Sequence, residues 1–328
     1  MTLPLLDGIG RRIEYLRVSV TDRCNFRCLY CMPVEGLPWL ARETLLGDDE
    51  IVEVVRQLAP LGLRRIRITG GEPTLRPALV ALVARMRDAA ALDDVSLSTN
   101  GVRLPAMARA LRDAGVDRVN VSVDSLRTER VAAIARRSLA FDPITALDAA
   151  LDAGFEPVKV NVVVLRGVND DEIASLAALT LERAVHVRFI ELMPVGDSHG
   201  AGPEHLVAAD EIAERIEQVH GALIDAIAPC RGNGPARYRA IAGARGSIGF
   251  ITPMSHTYCA SCNRVRLTAD GRLRTCLFGE HEVDLRTPLR AGEALAPYVY
   301  GALRDKPRAH ELLQLRTGGL VALSQTGG

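Results

Sequence analysis

Three thiols open the chemistry of this chain. Cys24, Cys28 and Cys31 stand at C-x3-C-x2-C spacing in S-V-T-D-R-C-N-F-R-C-L-Y-C-M (Ser19–Met32), directly after a short apolar strand. Soft thiolates on one short loop suit an iron–sulfur cube. Three ligands for four irons leave one iron open, and an open iron implies chemistry rather than electron storage alone. The alternative is a structural zinc site, which wants four ligands and a closed tetrahedron. No fourth Cys or His lies near this loop, so that reading is the weaker one, though it stays open.

A second set follows far along the chain: Cys259, Cys262 and Cys276, with spacings of two and thirteen residues. These thiols suit another cube with an open iron, or a Cys3His zinc site completed by His256 or His281, and spacing does not choose between the two. Arg264 and Arg266 come at once in C-A-S-C-N-R-V-R-L. Separated by one residue on an extended segment, they point the same way, and their forks fit phosphate oxygens. A third motif, Thr69-Gly70-Gly71-Glu72-Pro73, ends a strand. Its glycines admit close backbone approach to a ligand, and its carboxylate and backbone groups can hold an amine.

These residues need a scaffold, and the chain spells a repeated βα pattern from residue 15 to about 190. Strands are expected at Tyr15–Val20, Arg64–Thr69, Val95–Ser98, Arg118–Val123, Val158–Leu165 and Val185–Glu191. Helices are expected at Asp48–Ala59, Pro77–Ala90, Pro105–Ala114, Asp142–Ala153 and Asn169–Leu179. Asp48 and Asn169 serve as N-caps, and Gly62, Gly115 and Gly154 as stops. Such repeats give a parallel sheet with right-handed crossovers. Parallel strands covered on both faces read as continuous apolar runs. These instead alternate: Arg17 and Ser19, Arg65 and Arg67, Ser96 and Ser98, Asn120 and Ser122, Lys159 and Asn161 share one polar face. The fold class is therefore α/β, an open, partial (β/α)6 barrel resembling a TIM barrel in connectivity, with a polar lumen in place of a packed core. Both the cysteine loop and the G-G-E-P turn then sit at the C-terminal edge of the sheet, where barrel active sites lie. The barrel is expected to span 1–205. A C-terminal region, 206–328, carries the second cysteine set, a helix near Ala209–Val219 and short strands such as Gly246–Thr252.

Composition narrows the class. A 328-residue chain with 48% hydrophobic residues can bury a core. Forty basic and forty acidic residues balance, so charge points to neither nucleic acid nor an anionic membrane. No apolar run approaches the ~20 residues of a membrane span, and the start of the chain lacks signal-peptide features. Seven cysteines, six of them in two tight groups, argue for metal binding in a reducing cytoplasm. Cys230 reads as a spectator thiol. Lysine occurs only at Lys159 and Lys306, which makes each one's position informative.

The first cysteine motif, with Tyr30 before its last thiol and G-G-E-P following, resembles the radical S-adenosylmethionine (SAM) superfamily. The two three-cysteine motifs together, C-A-S-C-N-R-V-R-L, V-R-F-I-E-L-M-P at Val187–Pro194 and a terminal Gly-Gly resemble its GTP 3′,8-cyclase family of molybdenum cofactor biosynthesis, from Leu16 to Gly328. The resemblance implies two [4Fe–4S] clusters and SAM as cofactors. Cys24, Cys28 and Cys31 would hold the first cluster, and Cys259, Cys262 and Cys276 the second, whose open iron meets the guanine. Tyr30, Gly71, Ser122 and Met193 would contact SAM. Arg17, Arg67, Ser98, Lys159, Arg264, Val265 and Arg266 would contact GTP, with Thr99 as the neighbouring alternative to Ser98. The implied reaction is cleavage of SAM to a 5′-deoxyadenosyl radical, abstraction of hydrogen from C3′ of GTP and attack on C8, giving (8S)-3′,8-cyclo-7,8-dihydroguanosine 5′-triphosphate. Gly327-Gly328 would enter the pocket. The implied partners are GTP, an electron donor and the next enzyme, cyclic pyranopterin monophosphate synthase, with room for a homodimer and none for nucleic acid or membrane.

Two other readings remain at this stage. One is a two-cluster radical SAM enzyme that modifies peptides. The other is a zinc-bound scaffold without catalysis.

Overall fold

The computed structural model describes residues 4–138, 141–193, 201–226, 234–279 and 281–309. Cys230, Pro194 and the Gly327-Gly328 tail lie outside them. Six strands in chain order build the expected sheet: β1 (Tyr15–Ser19), β2 (Arg65–Thr69), β3 (Asp94–Thr99), β4 (Arg118–Ser122), β5 (Val158–Val163) and β6 (Val185–Ile190). Each pairs in parallel with the next. Helices α1 (Asp48–Leu58), α2 (Leu79–Ala89), α3 (Leu104–Asp113), α4 (Thr128–Ala135), α5 (Pro143–Asp152) and α6 (Ile173–Glu182) alternate with them.

The polar and apolar faces separate as alternation requires. Leu16, Val18, Ile66, Ile68, Val119, Val121, Val160 and Val187 are fully buried in one hydrophobic core against the helices. Burying each such side chain contributes roughly 1.5–3 kcal/mol before entropy is counted. Helix α1 shows the matching pattern, with Ile51, Val52, Val54, Val55 and Leu58 on its inner stripe and Asp48–Glu50 in its first turn. The three expected glycine stops all take positive φ: 109° at Gly62, 104° at Gly115 and 78° at Gly154.

One capping expectation needs correction: Gly47 is the N-cap of α1 and Asp48 its first helical residue. Asn169 does stand at the N-cap of the 3-10 turn Asp170–Glu172 that leads into α6, but its side chain makes no cap bond. Its amide accepts from Leu165 N–H at 2.7 Å and donates to the carbonyls of Asp124 and Val163. An amide can satisfy donors and acceptors at once, so it serves better as a tie between strand ends than as a cap. Helix α4 was not expected: eight residues of T-E-R-V-A-A-I-A are too short to show a periodic stripe.

The region beyond residue 205 adds α7 (Ala209–His220), β7 (Ile224–Asp225), β8 (Arg237–Ala240), β9 (Ser247–Ile251), β10 (Arg264–Leu267), β11 (Arg272–Arg274), β12 (Glu282–Asp284), α8 (Arg286–Arg290) and α9 (Ala296–Arg304). The six expected strands are thereby extended at both edges. Strand β9 pairs in parallel with β6, and β10 in parallel with β1. The sheet runs β12-β11-β10-β1-β2-β3-β4-β5-β6-β9-β8-β7, with the outer pairs antiparallel. Residues 252–263 therefore connect one edge of the parallel sheet to the other, and they carry Cys259 and Cys262. Among the described residues no helix is long and apolar enough to cross a membrane.

Candidate active site

Register brings the polar residues into rows. Arg266, Arg17, Arg67, Ser96 and Arg118 stand side by side across β10, β1, β2, β3 and β4, and Ser98, Asn120, Lys159 and His186 form a row across β3 to β6. One cavity opens onto this face. Its wall includes Cys24, Cys28, Cys31, Tyr30, Gly71, Ser122, Met193, Arg17, Arg67, Ser98, Arg264 and Arg266. Cys259, Cys262, Cys276, Lys159 and Val265 are not on that wall. Val265 turns its side chain into the hydrophobic core, as its place between two inward arginines dictates. Lys159 is buried, with Nζ 5.9 Å from the centre of the Tyr238 ring.

The cysteine loop is braced from two sides. Arg27 N–H donates to Ala135 O at 2.8 Å and Leu29 N–H to Ile134 O at 3.1 Å, so α4 backs the loop. Gly71 N–H donates to Thr21 O and Glu72 N–H to Arg23 O, both at 2.8 Å. A Cβ on Gly71 would lie 2.3 Å from Arg23 O, so the glycine pair admits the cysteine loop itself. The Glu72 carboxylate, read from sequence as able to hold an amine, is committed elsewhere. It accepts from Thr74 N–H, Thr74 Oγ1, Thr99 Oγ1 and Asn100 N–H at 2.6–3.0 Å and is 1% exposed. Ser98 and Thr99 both line the cavity; the Thr99 hydroxyl is engaged by Glu72, whereas that of Ser98 takes only a 3.4 Å contact from Asn120. Tyr30 Oη donates to Asp124 Oδ2 at 2.6 Å, and burial pushes Asp124 up to about 6 against that bond and the one from Val163 N–H.

The thiols meet two different environments. Burial pushes Cys24 up to about 11 and Cys28 well above the ordinary range, where Cys31, Asp124 and Cys24 add to the rise. At the second set, burial pushes Cys262 up but Lys306 and Arg264 outweigh it, and the thiol is held below its ordinary value. All six described cysteines are thiols rather than disulfides. Among the described residues, no three of His, Cys, Asp and Glu close onto a point that would hold one metal ion. Each triad offers three soft sulfur donors, the set that a cube of four irons with one open corner takes. Cys31, Met193, Met254, Cys276 and Leu277 pack on Phe278, so both triads flank one apolar partition.

The lumen itself is strongly cationic. Burial pulls Arg67 and Arg266 down to about 10 and Arg17 well below the ordinary range, and neighbouring guanidiniums deepen each shift. Tyr15 sits among them, 2% exposed, with Arg67 5.6 Å from its ring centre and its hydroxyl without a hydrogen-bond partner. Arg264 Nε is a second buried polar atom without one. Tyr15 and Arg188, whose Nη2 donates to Asn120 and Asn161 at 2.7 and 2.5 Å, line the cavity and were not singled out from sequence. Their inward parity on β1 and β6 was the available signal.

Comparison with known proteins agrees with this geometry. Residues 18–180 match the model of the radical SAM superfamily and residues 185–312 that of Molybdenum Cofactor Synthesis C. A GTP 3′,8-cyclase of Heliobacterium modesticaldum is 46% identical over 328 residues, covering 99% of this chain and 100% of that protein. This chain belongs to the GTP 3′,8-cyclase family. A second family member, from Pelotomaculum thermopropionicum, is 47% identical over 311 residues, 94% of this chain and 95% of its own. The fold recurs in Streptococcus suis SuiB bound to S-adenosylmethionine, with a TM-score of 0.58 at 12% identity over 93% of this chain and 66% of that one. At that identity the likeness concerns the fold alone, whereas the cyclase family matches over the full length.

Proposed function

We propose that this chain is a radical SAM GTP 3′,8-cyclase, a lyase that converts GTP to (8S)-3′,8-cyclo-7,8-dihydroguanosine 5′-triphosphate in the first step of molybdenum cofactor biosynthesis. The observation that carries this is a polar lumen whose buried, mutually repelling arginines share one cavity wall with the first thiol triad, while a cysteine of each triad packs on Phe278. Such a charge array favours an anionic ligand, and a triphosphate offers its guanidinium forks many oxygens.

Cys24, Cys28 and Cys31 would hold one [4Fe–4S] cluster, and Cys259, Cys262 and Cys276 the other. When bound, the first cluster with SAM supplies the radical that takes a hydrogen atom from the ribose. The chain's own residues bind and orient. Gly71, Ser122, Met193 and the backbone of Tyr30 face the SAM side of the cavity, since the Tyr30 hydroxyl is engaged with Asp124. Arg17, Arg67, Arg264 and Arg266 take phosphate oxygens by charge-assisted bonds, and Ser98 and the Tyr15 hydroxyl supply neutral ones. Lys159 acts from beneath the wall through its charge, and Val265 through its backbone only. Apolar residues such as Phe141, Ile190 and Leu192 help line the cavity and limit water there. The enzyme would act in the cytoplasm, take its electron from a separate donor and hand its product to cyclic pyranopterin monophosphate synthase.

The test is anaerobic reconstitution followed by incubation with SAM, dithionite and GTP. About eight irons per chain and 5′-deoxyadenosine release that depends on GTP are expected. Bound zinc without labile sulfide, or release indifferent to GTP, would overturn the proposal.

A further inference from the structure

The chain's second lysine stands at the second thiol triad. Lys306 follows α9 and is 5% exposed. Its ammonium lies 3.6 Å from Cys262 Sγ and donates to Arg264 O at 3.2 Å and to Thr275 O. Three donors thus meet three acceptors, two of them on the separate segments that carry Cys262 and Cys276. A compact ammonium can do this, while a planar guanidinium fork cannot. The placement is itself held. Arg11 donates to Cys259 O at 2.7 Å and to the carbonyls of Pro307 and Arg308, and Asp7 grips Arg11 from behind. The only other lysine, Lys159, stands on β5 with its ammonium over the Tyr238 ring.

We propose that Lys306 is a positioning residue for the second cluster: it clamps the Cys262 and Cys276 segments together and donates a hydrogen bond to the Cys262 sulfur. This rests on the two-cluster reading above. A cation and an N–H donor at a ligating sulfur favour the more negative, reduced cluster and so raise its potential. The first cluster, in the same molecule, serves as the internal reference.

The test is an anaerobic redox titration, followed by electron paramagnetic resonance, of the full reconstituted chain and of Lys306→Met and Lys306→Gln. The second signal is assigned by its loss in Cys262→Ala. The expected result is a more negative potential for the second cluster alone in both variants, with the first unchanged. If Lys306→Met sheds the second cluster and falls to about four irons, clamping is supported, and Lys306→Gln, which keeps a donor without the charge, carries the potential measurement. Unchanged second-cluster potentials in the cluster-loaded variants, or equal shifts in both clusters, would overturn the role of Lys306 while leaving the two-cluster reading intact. A wild-type chain with one cluster would overturn both.

Discussion

The two thiol triads each pack a cysteine on Phe278 yet are built in opposite ways. The first comes from eight consecutive residues braced by backbone bonds from α4 and the G-G-E-P turn. The second is gathered from a segment joining the two sheet edges and from the end of β11, and it is pinned by Lys306 and Arg11. Their electrostatics differ in the same sense. Burial and neighbouring thiols and carboxylates push Cys24 and Cys28 up, whereas cations hold Cys262 down. The difference teaches that one short loop can hold its thiols by backbone bonds alone, whereas thiols gathered from distant segments need side-chain cations to tie those segments together.

The largest expected effect separates the two directly. Cys28→Ala should abolish SAM cleavage and bring the chain to about four irons. Cys276→Ala should abolish cyclisation of GTP while leaving the first cluster loaded; iron analysis and product chromatography check both. If either change emptied both sites, the triads would not be independent. Next, Arg17→Ala or Arg266→Ala should weaken GTP binding by roughly 10–100-fold, the worth of a lost charge-assisted bond of about 1.5–3 kcal/mol. SAM binding should be untouched, and isothermal titration of each ligand decides it.

Two buried carboxylates sharpen the comparison further. Glu72 anchors the first triad's surroundings, and Glu191 anchors the joining segment by accepting from Ala209 N–H, Met254 N–H, Ser255 N–H and Ser255 Oγ. Glu72→Gln and Glu191→Gln should each cost on the order of 1–3 kcal/mol in chemical unfolding. Glu72→Gln should shed iron first from the first site and Glu191→Gln from the second; the reverse order would break the assignment. The smallest effect is expected for Tyr15→Phe. Removing one neutral hydrogen bond of about 0.5–1.5 kcal/mol should raise KM for GTP by no more than about tenfold and leave kcat nearly unchanged.

Much of this was legible in the chain. Strand alternation placed Arg17, Arg67 and Lys159 on one face, the spacing of Arg264 and Arg266 pointed both the same way, and the cysteine spacings marked both triads. What escaped depended on contacts between distant segments. β9 and β10 are only five and four residues long, and nothing local says which sheet edge they join. Glu72 looked like a ligand because the motif cannot reveal that Thr74, Thr99 and Asn100 already occupy its oxygens. Nothing in the motif shows that the Thr99 hydroxyl is taken by Glu72 while the Ser98 hydroxyl beside it is not. Lys306 was conspicuous by its rarity, but only the end of α9 brings it to Cys262.

The central claim is that the cavity lined by the first triad and the lumen arginines holds GTP with its ribose exposed to that triad. GTP deuterated at C3′, incubated anaerobically with reconstituted chain, SAM and dithionite, tests it most directly. Deuterium recovered in 5′-deoxyadenosine, together with a 3′,8-cyclised triphosphate, is the predicted result. Unlabelled 5′-deoxyadenosine with GTP returned intact would contradict it.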